Sequence, residues 1–180
     1  TGRWSMVESE GAVVILRSFV PSLKKVNART RVVHETAFAL SSCLHLLKLF
    51  FKKIDAVVVV CPPLQLGFWA WLFCRVKRIP FIFHIQDLQI DAAADLGLIT
   101  NRFIVGFLRH WERFLFRRAA ILSTISDGMK KRIEAKGIFS RPVLLFPNWV
   151  DTQFLTPMSR DNAFRKLHGI GRDKFLVLYA

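Results

Sequence analysis

Short runs of continuous apolar residues alternate with longer amphipathic stretches along the chain. Ala56–Cys61, Pro80–His84, Ala119–Ile125 and Val143–Phe146 are brief, rich in β-branched or aromatic residues, and apolar at nearly every position. Such runs suit strands of a parallel sheet. Between them lie segments of helical character. About Val32–Lys52 carries Phe38, Leu44, Leu47, Phe50 and Phe51 near helical spacing, and Leu66–Lys77 and Arg102–Arg118 follow. Ser126-Asp127 caps a helix that runs to about Lys136. Trp4–Val7 and Ala12–Val20 read as two strands joined by a turn over Glu8–Gly11. Lys24–Arg31 reads as a basic loop, Gln86–Leu98 as a loop with a short helical turn, Arg160–His168 as a helix and Phe175–Tyr179 as a last strand.

Strands alternating with helices predict an α/β fold, a Rossmann-like parallel sheet with helices on both faces. Sheets of this kind bind ligands beyond the carboxyl ends of their strands. That rule draws attention to Pro62-Pro63, His84 to Asp87, Ser126-Asp127 and Pro147-Asn148.

Hydropathy alone suggests a different reading of one segment. Ala56 to Cys74 is 19 residues without a charge, long enough to span a bilayer. Pro62-Pro63 interrupts any helix in its middle, and the valine run before it favours a strand. Strand, Pro-Pro loop and helix from about Gln65 is the better parse.

The chain has 180 residues, the size of one domain or of one domain with the beginning of another. Hydrophobic residues at 52% against 22% charged exclude intrinsic disorder. Lys and Arg number 27 against 13 Asp and Glu, a net charge of +14. Twelve of the basic residues fall in positions 1–90 and fifteen in 91–180, so a basic tail does not account for the excess. The charge implies an anionic partner: nucleic acid, lipid headgroups or phosphorylated substrates. No nucleic-acid-binding motif accompanies it, and nucleic acid is not the expected partner. The three cysteines, Cys43, Cys61 and Cys74, form no CxxC pair, which points away from a disulfide framework and toward a reducing compartment. The opening Thr-Gly-Arg-Trp-Ser has none of the apolar character of a signal peptide. Phe175–Ala180 reads as an unfinished buried strand, from which a further domain is expected.

Candidate chemistry centres on Phe81-Ile-Phe-His84-Ile-Gln86-Asp87. An apolar strand delivers a histidine to its carboxyl end, where the ring could bond a substrate hydroxyl or move a proton, or rest on a backbone carbonyl as a core histidine. Asp87, Asp91 and Asp95 recur every four residues and would share a face if the segment were helical throughout. A cation site and a solvated helix start are the two readings, and the second is preferred. Arg102–Arg118 places Ile104, Phe107, Leu108, Trp111, Phe114 and Leu115 on one face. Arg102, Arg109, Arg113 and Arg117 occupy much of the rest, with Phe116 toward the basic side. Sheet cover by the apolar face and contact with an anionic bilayer by the basic face are compatible. Ser123-Thr124-Ile125-Ser126 end a strand and could contact a substrate, with the cap role preferred for Ser126.

At these residues the chain resembles the sugar transferases of the colanic-acid-biosynthesis type, in glycosyltransferase family four with its two-domain GT-B fold. His84-Ile-Gln-Asp87, then Asp91-Ala-Ala, then Leu96-Gly-Leu98 carry the resemblance. Val58 to Leu64, Ser123 to Ser126 and Leu145 to Asp151 match further family segments in the same order. The resemblance implies a retaining transfer from a nucleotide-sugar to a glycan acceptor, without a metal or other cofactor, in synthesis of a cell-surface polysaccharide. It implies a polyprenyl-diphosphate-linked acceptor and work at the inner face of the cytoplasmic membrane. By the same resemblance His84 and Asp87 are the catalytic candidates and Gln86, Asp91 and Ser126 the acceptor contacts. Arg102, Arg109, Arg113, Phe116 and Arg117 are the membrane contacts expected. Residues 1–150 would be a partial acceptor-binding domain, and 151–180 an interdomain segment with the first strand of a truncated donor domain. Such a piece is not expected to transfer sugar unaided. The rival expectation is a non-catalytic basic module that binds membrane surfaces.

Overall fold

The computed structural model describes residues 5–22, 28–138, 141–157 and 159–177. It opens with an antiparallel hairpin, β1 (Ser5–Glu10) and β2 (Val13–Ser18), in which Glu10 pairs with Val13 and Ser5 with Ser18. The turn is shorter than the sequence pattern predicts. Gly11, at φ 58°, occupies the left-handed region and closes the hairpin in two residues, so pairing continues through Glu8 and Glu10. Arg17 and Glu8 form a cross-strand ion pair at 2.8 Å. Trp4, expected in the first strand, lies outside the described residues.

Helix α1 (Ala28–Leu49) begins inside the segment expected as a basic loop, of which Lys24 and Lys25 lie outside the described residues. No Gly or Pro interrupts Ala28–Leu49, and an Arg31–Glu35 pair at 3.1 Å supports its first turns. Lys77 fastens the far end, where its ammonium donates to the Phe50 and Lys52 carbonyls at 2.7 and 2.6 Å.

The rest of this unit is a βα repeat. Its elements are β3 (Val57–Cys61), α2 (Leu64–Lys77), β4 (Phe81–Ile85), α3 (Gln89–Asp95), α4 (Arg102–Arg118), β5 (Ile121–Thr124), α5 (Asp127–Ala135) and β6 (Leu144–Leu145). The strands form one parallel sheet in the order β3-β4-β5-β6, with Val60, His84, Ser123 and Leu144 in register across it. The fold class is therefore the α/β class read from the sequence, a four-stranded parallel sheet flanked by helices.

Each crossover steps the same way across the sheet, and right-handed crossovers then put α2, α4 and α5 on one face. The core confirms it. Val59, Phe83, Ile85 and Leu122 of the strands pack with Ala70 and Phe73 of α2, Leu115 and Phe116 of α4, and Ile133 of α5. Gly67 permits the close approach of α2, because a Cβ there would stand 3.0 Å from Leu115 Cδ1 and 3.2 Å from the Phe83 ring. On the opposite face of the sheet, Val58, Val60, Ile121 and Leu144 remain exposed. Asn101 starts α4, its Oδ1 accepting from the Phe103 and Ile104 amides at 2.9 and 3.3 Å.

Residues 148–180 cluster as a separate unit. It holds the short helix α6 (Ala163–Leu167), whose Arg165 is buried and donates to the Gly171 and Lys174 carbonyls at 2.8 and 2.9 Å. Phe175, Leu176 and Val177, expected to open the last strand, are exposed and form no strand. A strand needs a neighbour for its backbone groups, and none stands in this unit among the described residues. Leu178 and Tyr179 of that expected strand lie outside them.

Candidate functional site

The carboxyl end of the sheet is built around His84. Alternation along β4 sends Phe81, Phe83 and Ile85 into the helix-side core and turns His84 to the other face. There it is 5% exposed. Its Nδ1 lies 2.9 Å from Ser123 Oγ on the neighbouring strand, directly in register. The Phe146 ring stands nearly perpendicular to the imidazole, with centroids 5.6 Å apart. Burial pushes the His84 pKa down, because a low-dielectric setting disfavours the imidazolium. The ring is thus neutral near pH 7, with one nitrogen a donor and the other an acceptor.

Backbone and hydroxyl bonds hold the strand ends together around this ring. The Gln86 amide donates to the Cys61 carbonyl at 2.9 Å and the Phe146 amide to the Thr124 carbonyl at 2.7 Å. Thr124 Oγ1 donates to the Ile85 carbonyl at 2.7 Å. Gln86 is half-buried and Asp87 exposed, directly after His84 in the chain. Cys61 points to the helix-side core, and burial pushes its thiol up to about 12, so it supplies no thiolate beside His84.

Several expected site residues have structural employment. Ser126 is the cap of α5, its Oγ accepting from the Met129 amide at 3.3 Å. Helix α3 starts at Gln89, which leaves Asp87 off the helix and removes the three-carboxylate face. Asp91 accepts from Lys136 at 2.7 Å and faces Arg109 at 3.6 Å. Lys136 also pairs with Glu112, a buried carboxylate of α4. Burial raises the Glu112 pKa and Lys136 partly opposes the rise. These groups tie α3, α4 and α5 together at the floor of an open cavity of about 420 Å³ also lined by Arg113 and Arg132. Among the described residues no three His, Cys, Asp or Glu side chains converge as a metal set.

Helix α4 corrects one expected membrane contact. Phe116 is 1% exposed and sits 6.1 Å from the Phe83 ring, so it belongs to the core. The buried face of α4 runs through Glu112, Leu115 and Phe116: the two apolar side chains enter the core and Lys136 pairs the Glu112 carboxylate beside them. Trp111 and Phe114 pack against Phe68 and Trp71 of α2. Over the first turns, by contrast, Phe103, Ile104 and Phe107 are exposed, although Ile104 and Phe107 belong to the face expected to cover the sheet. Arg102, Arg113 and Arg117 are exposed as expected, while Arg109 divides itself between solvent and Asp91. Sequence reasoning offered Ser123 only as part of a strand end that could meet a substrate, not as the partner of His84. Its signal is present, a hydroxyl pair Ser123-Thr124 ending an otherwise apolar strand, but only the register shows that Ser123 meets His84.

Residues 4–149 match the glycosyl transferase 4-like domain. The chain belongs to that family. The match takes in every strand of the parallel sheet and the whole surround of His84. Within the same family resemblance, the chain is 27% identical over 182 residues to WcaI of Escherichia coli (strain K12), whose name assigns it to colanic acid biosynthesis as a glycosyl transferase. The alignment takes in 98% of this chain and 45% of that relative, so the chain spans less than half the relative's length. No described helix is long and apolar enough to cross a membrane.

Proposed function

We propose that the chain is the acceptor-facing part of a retaining glycosyltransferase that moves a sugar from a nucleotide-sugar to a membrane-associated, polyprenyl-diphosphate-linked glycan. The observation that carries this reading is the neutral, buried His84 at the carboxyl end of β4, in a chain of the glycosyl transferase 4-like family. Ser123 engages Nδ1 and so orients the ring, which leaves Nε2 for a hydroxyl of the transferred sugar or the acceptor. A neutral imidazole can donate or accept there without carrying a charge into a site that handles a diphosphate leaving group. Asp87 and Gln86, next in the chain, contact the acceptor. Asp91 and Ser126 serve by holding α3 and α5 in place.

The transfer itself needs more polypeptide than this chain. Residues 1–150 form the acceptor side, and 151–180 lead toward a donor-binding domain that closes over both substrates and keeps out water, the competing acceptor. The reaction requires no resident cofactor and takes place at the inner face of the cytoplasmic membrane. There the exposed Arg102, Arg113 and Arg117 of α4, with Phe103 and Phe107 in the place first given to Phe116, meet anionic headgroups.

The test is turnover by the full-length protein and its His84→Ala variant. A panel of nucleotide-sugars is offered to lipid-linked glycans extracted from the source membranes. Loss of at least about a hundredfold in kcat is expected, within the range that a positioned acid–base or hydrogen-bonding group contributes. Wild-type turnover in the variant removes His84 from the chemistry. Absence of transfer from every donor by the wild-type protein refutes the reading as a whole.

A further inference from the structure

Helix α1 is apolar on two sides: Ala39 is buried and Leu46 and Leu49 pack against the core, yet a second apolar stripe faces outward. Its polar residues Ser41 and His45 face the fold and are buried, Ser41 Oγ donating to the Phe19 carbonyl at 2.9 Å. Ser42 Oγ lies 2.9 Å from Ser18 Oγ of β2, and Glu35 accepts from Gln89 Nε2 at 3.2 Å. Val33, Leu40, Leu44 and Leu47, with Phe51 just beyond the helix, stand at intervals of seven, four, three and four residues and so form one stripe. That stripe faces outward. The four aliphatic side chains are 53%, 53%, 53% and 61% exposed and Phe51 is 93% exposed. A helix that covers a globular domain ordinarily keeps its outer face polar. At about 1.5 Å per residue, Val33 to Leu47 carry the stripe along roughly 21 Å of α1.

The charges around the stripe decide its occupant. Lys48, Lys52 and Lys53 are exposed beside its carboxyl-terminal half, and the chain as a whole carries +14. A second copy docked there would bring the same charge against itself, whereas anionic headgroups complement it. Because no described helix is long and apolar enough to cross a bilayer, the arrangement is that of a helix lying in the interface plane.

We propose that α1 lies in the headgroup region of an anionic bilayer, with Val33, Leu40, Leu44, Leu47 and Phe51 against the acyl chains and Lys48, Lys52 and Lys53 among the phosphates. This rests on the membrane-surface reading given above for α4 and adds a second, apolar contact to it. Two contacts suit stable docking, since one weak anchor alone gives marginal and reversible binding.

The experiment is flotation of the full-length protein on vesicles of phosphatidylcholine with one quarter phosphatidylglycerol, at about 0.1 M salt. The variants are Leu40→Gln/Leu44→Gln/Leu47→Gln, which keeps helix propensity, and Arg113→Gln/Arg117→Gln on α4. The α1 variant should lose at least about tenfold in vesicle affinity, given the apolar area it removes, and neutral phosphatidylcholine vesicles should bind the wild type more weakly. Loss in the α4 variant alone, with the α1 variant binding as wild type, overturns the α1 proposal and leaves the α4 reading standing. Failure of the wild type to float overturns both, and neither outcome depends on sugar transfer. If the α1 variant changes an oligomer into a monomer, or melts at lower temperature, with vesicle binding unchanged, the stripe is covered by protein and the proposal fails. Should the variant not fold, labelling of the wild type by a diazirine dissolved in the bilayer gives the answer. Label on residues 33–51 supports the proposal, and its absence there overturns it.

Discussion

Replacing Lys136 by Ala tests whether the charge network is what holds α3 against α4 and α5. The ammonium serves two carboxylates, Asp91 at 2.7 Å and Glu112. The three side chains are only 17%, 24% and 6% exposed for Lys136, Asp91 and Glu112 respectively. Removing one member of a buried ion pair costs about 3–5 kcal/mol, because the remaining charge stays desolvated. Partial exposure of Asp91 and the nearby Arg109 place this case near the lower end, at about 3 kcal/mol at pH 7. For a domain of this size that is a fall in Tm of about 6–12 °C. The loss should depend on pH in a definite direction. Burial already holds the Glu112 pKa above the ordinary carboxylate value and Lys136 lowers it, so the variant raises it further. A carboxyl whose folded pKa is raised favours the folded state at low pH and loses that contribution as the pH climbs through the folded value. The deficit of the variant is therefore largest near pH 7 and shrinks as the pH falls through the raised Glu112 value toward 4.5. Urea denaturation of variant and wild type at pH 7 and pH 5 measures both quantities. A deficit below about 1 kcal/mol at pH 7, the value of a surface pair, or one that grows on acidification, refutes the reasoning.

Three further outcomes follow from the packing and from the His84 site. Gly67→Ala forces a methyl to within 3.0 Å of Leu115 and should cost about 1–3 kcal/mol in urea denaturation, and an unchanged midpoint would show that α2 has room to shift. Phe116→Ala should cost about 3–5 kcal/mol, whereas Phe103→Ala, at a residue 90% exposed, should stay within about 0.5 kcal/mol. Equal losses in the two would contradict the rotation of α4. In Ser123→Ala the His84 titration, followed by NMR, should remain below 6.5, the ordinary imidazole value, because burial lowers it; a return to that ordinary value would make the Ser123 contact the cause. The same variant in the full-length enzyme should lower kcat about tenfold or more, through loss of the ring's orientation.

Much of the fold was legible in the chain because its signals are local. The four strands of the parallel sheet and the helices between them follow from apolar periodicity, and α4 begins and ends where Asn101 and the Arg117-Arg118 end of the pattern place it. Boundaries moved where a single backbone conformation intervened, as at Gly11, whose left-handed φ extends β1 by closing the turn early. The last strand, by contrast, depends on a partner strand that no local pattern supplies.

The sequence by itself determined the α/β class and the delivery of His84 to a strand end, for which strand order and periodicity suffice, and its motifs around His84 carried the family resemblance. Only the tertiary structure decided which neighbours those residues meet. Ser123 reaches His84 through register between strands 39 residues apart. Asp91 is claimed by a lysine just past α5, and Phe116 turns inward to pack on Phe83, with Glu112 beside it paired to that same lysine. The outward stripe of α1 had the same origin. A helical period shows that a face is apolar, but which residues meet the protein depends on the partners available: here Ala39, Leu46 and Leu49 turn inward while Phe19, Ser18 and Gln89 offer hydrogen bonds to polar groups of the helix.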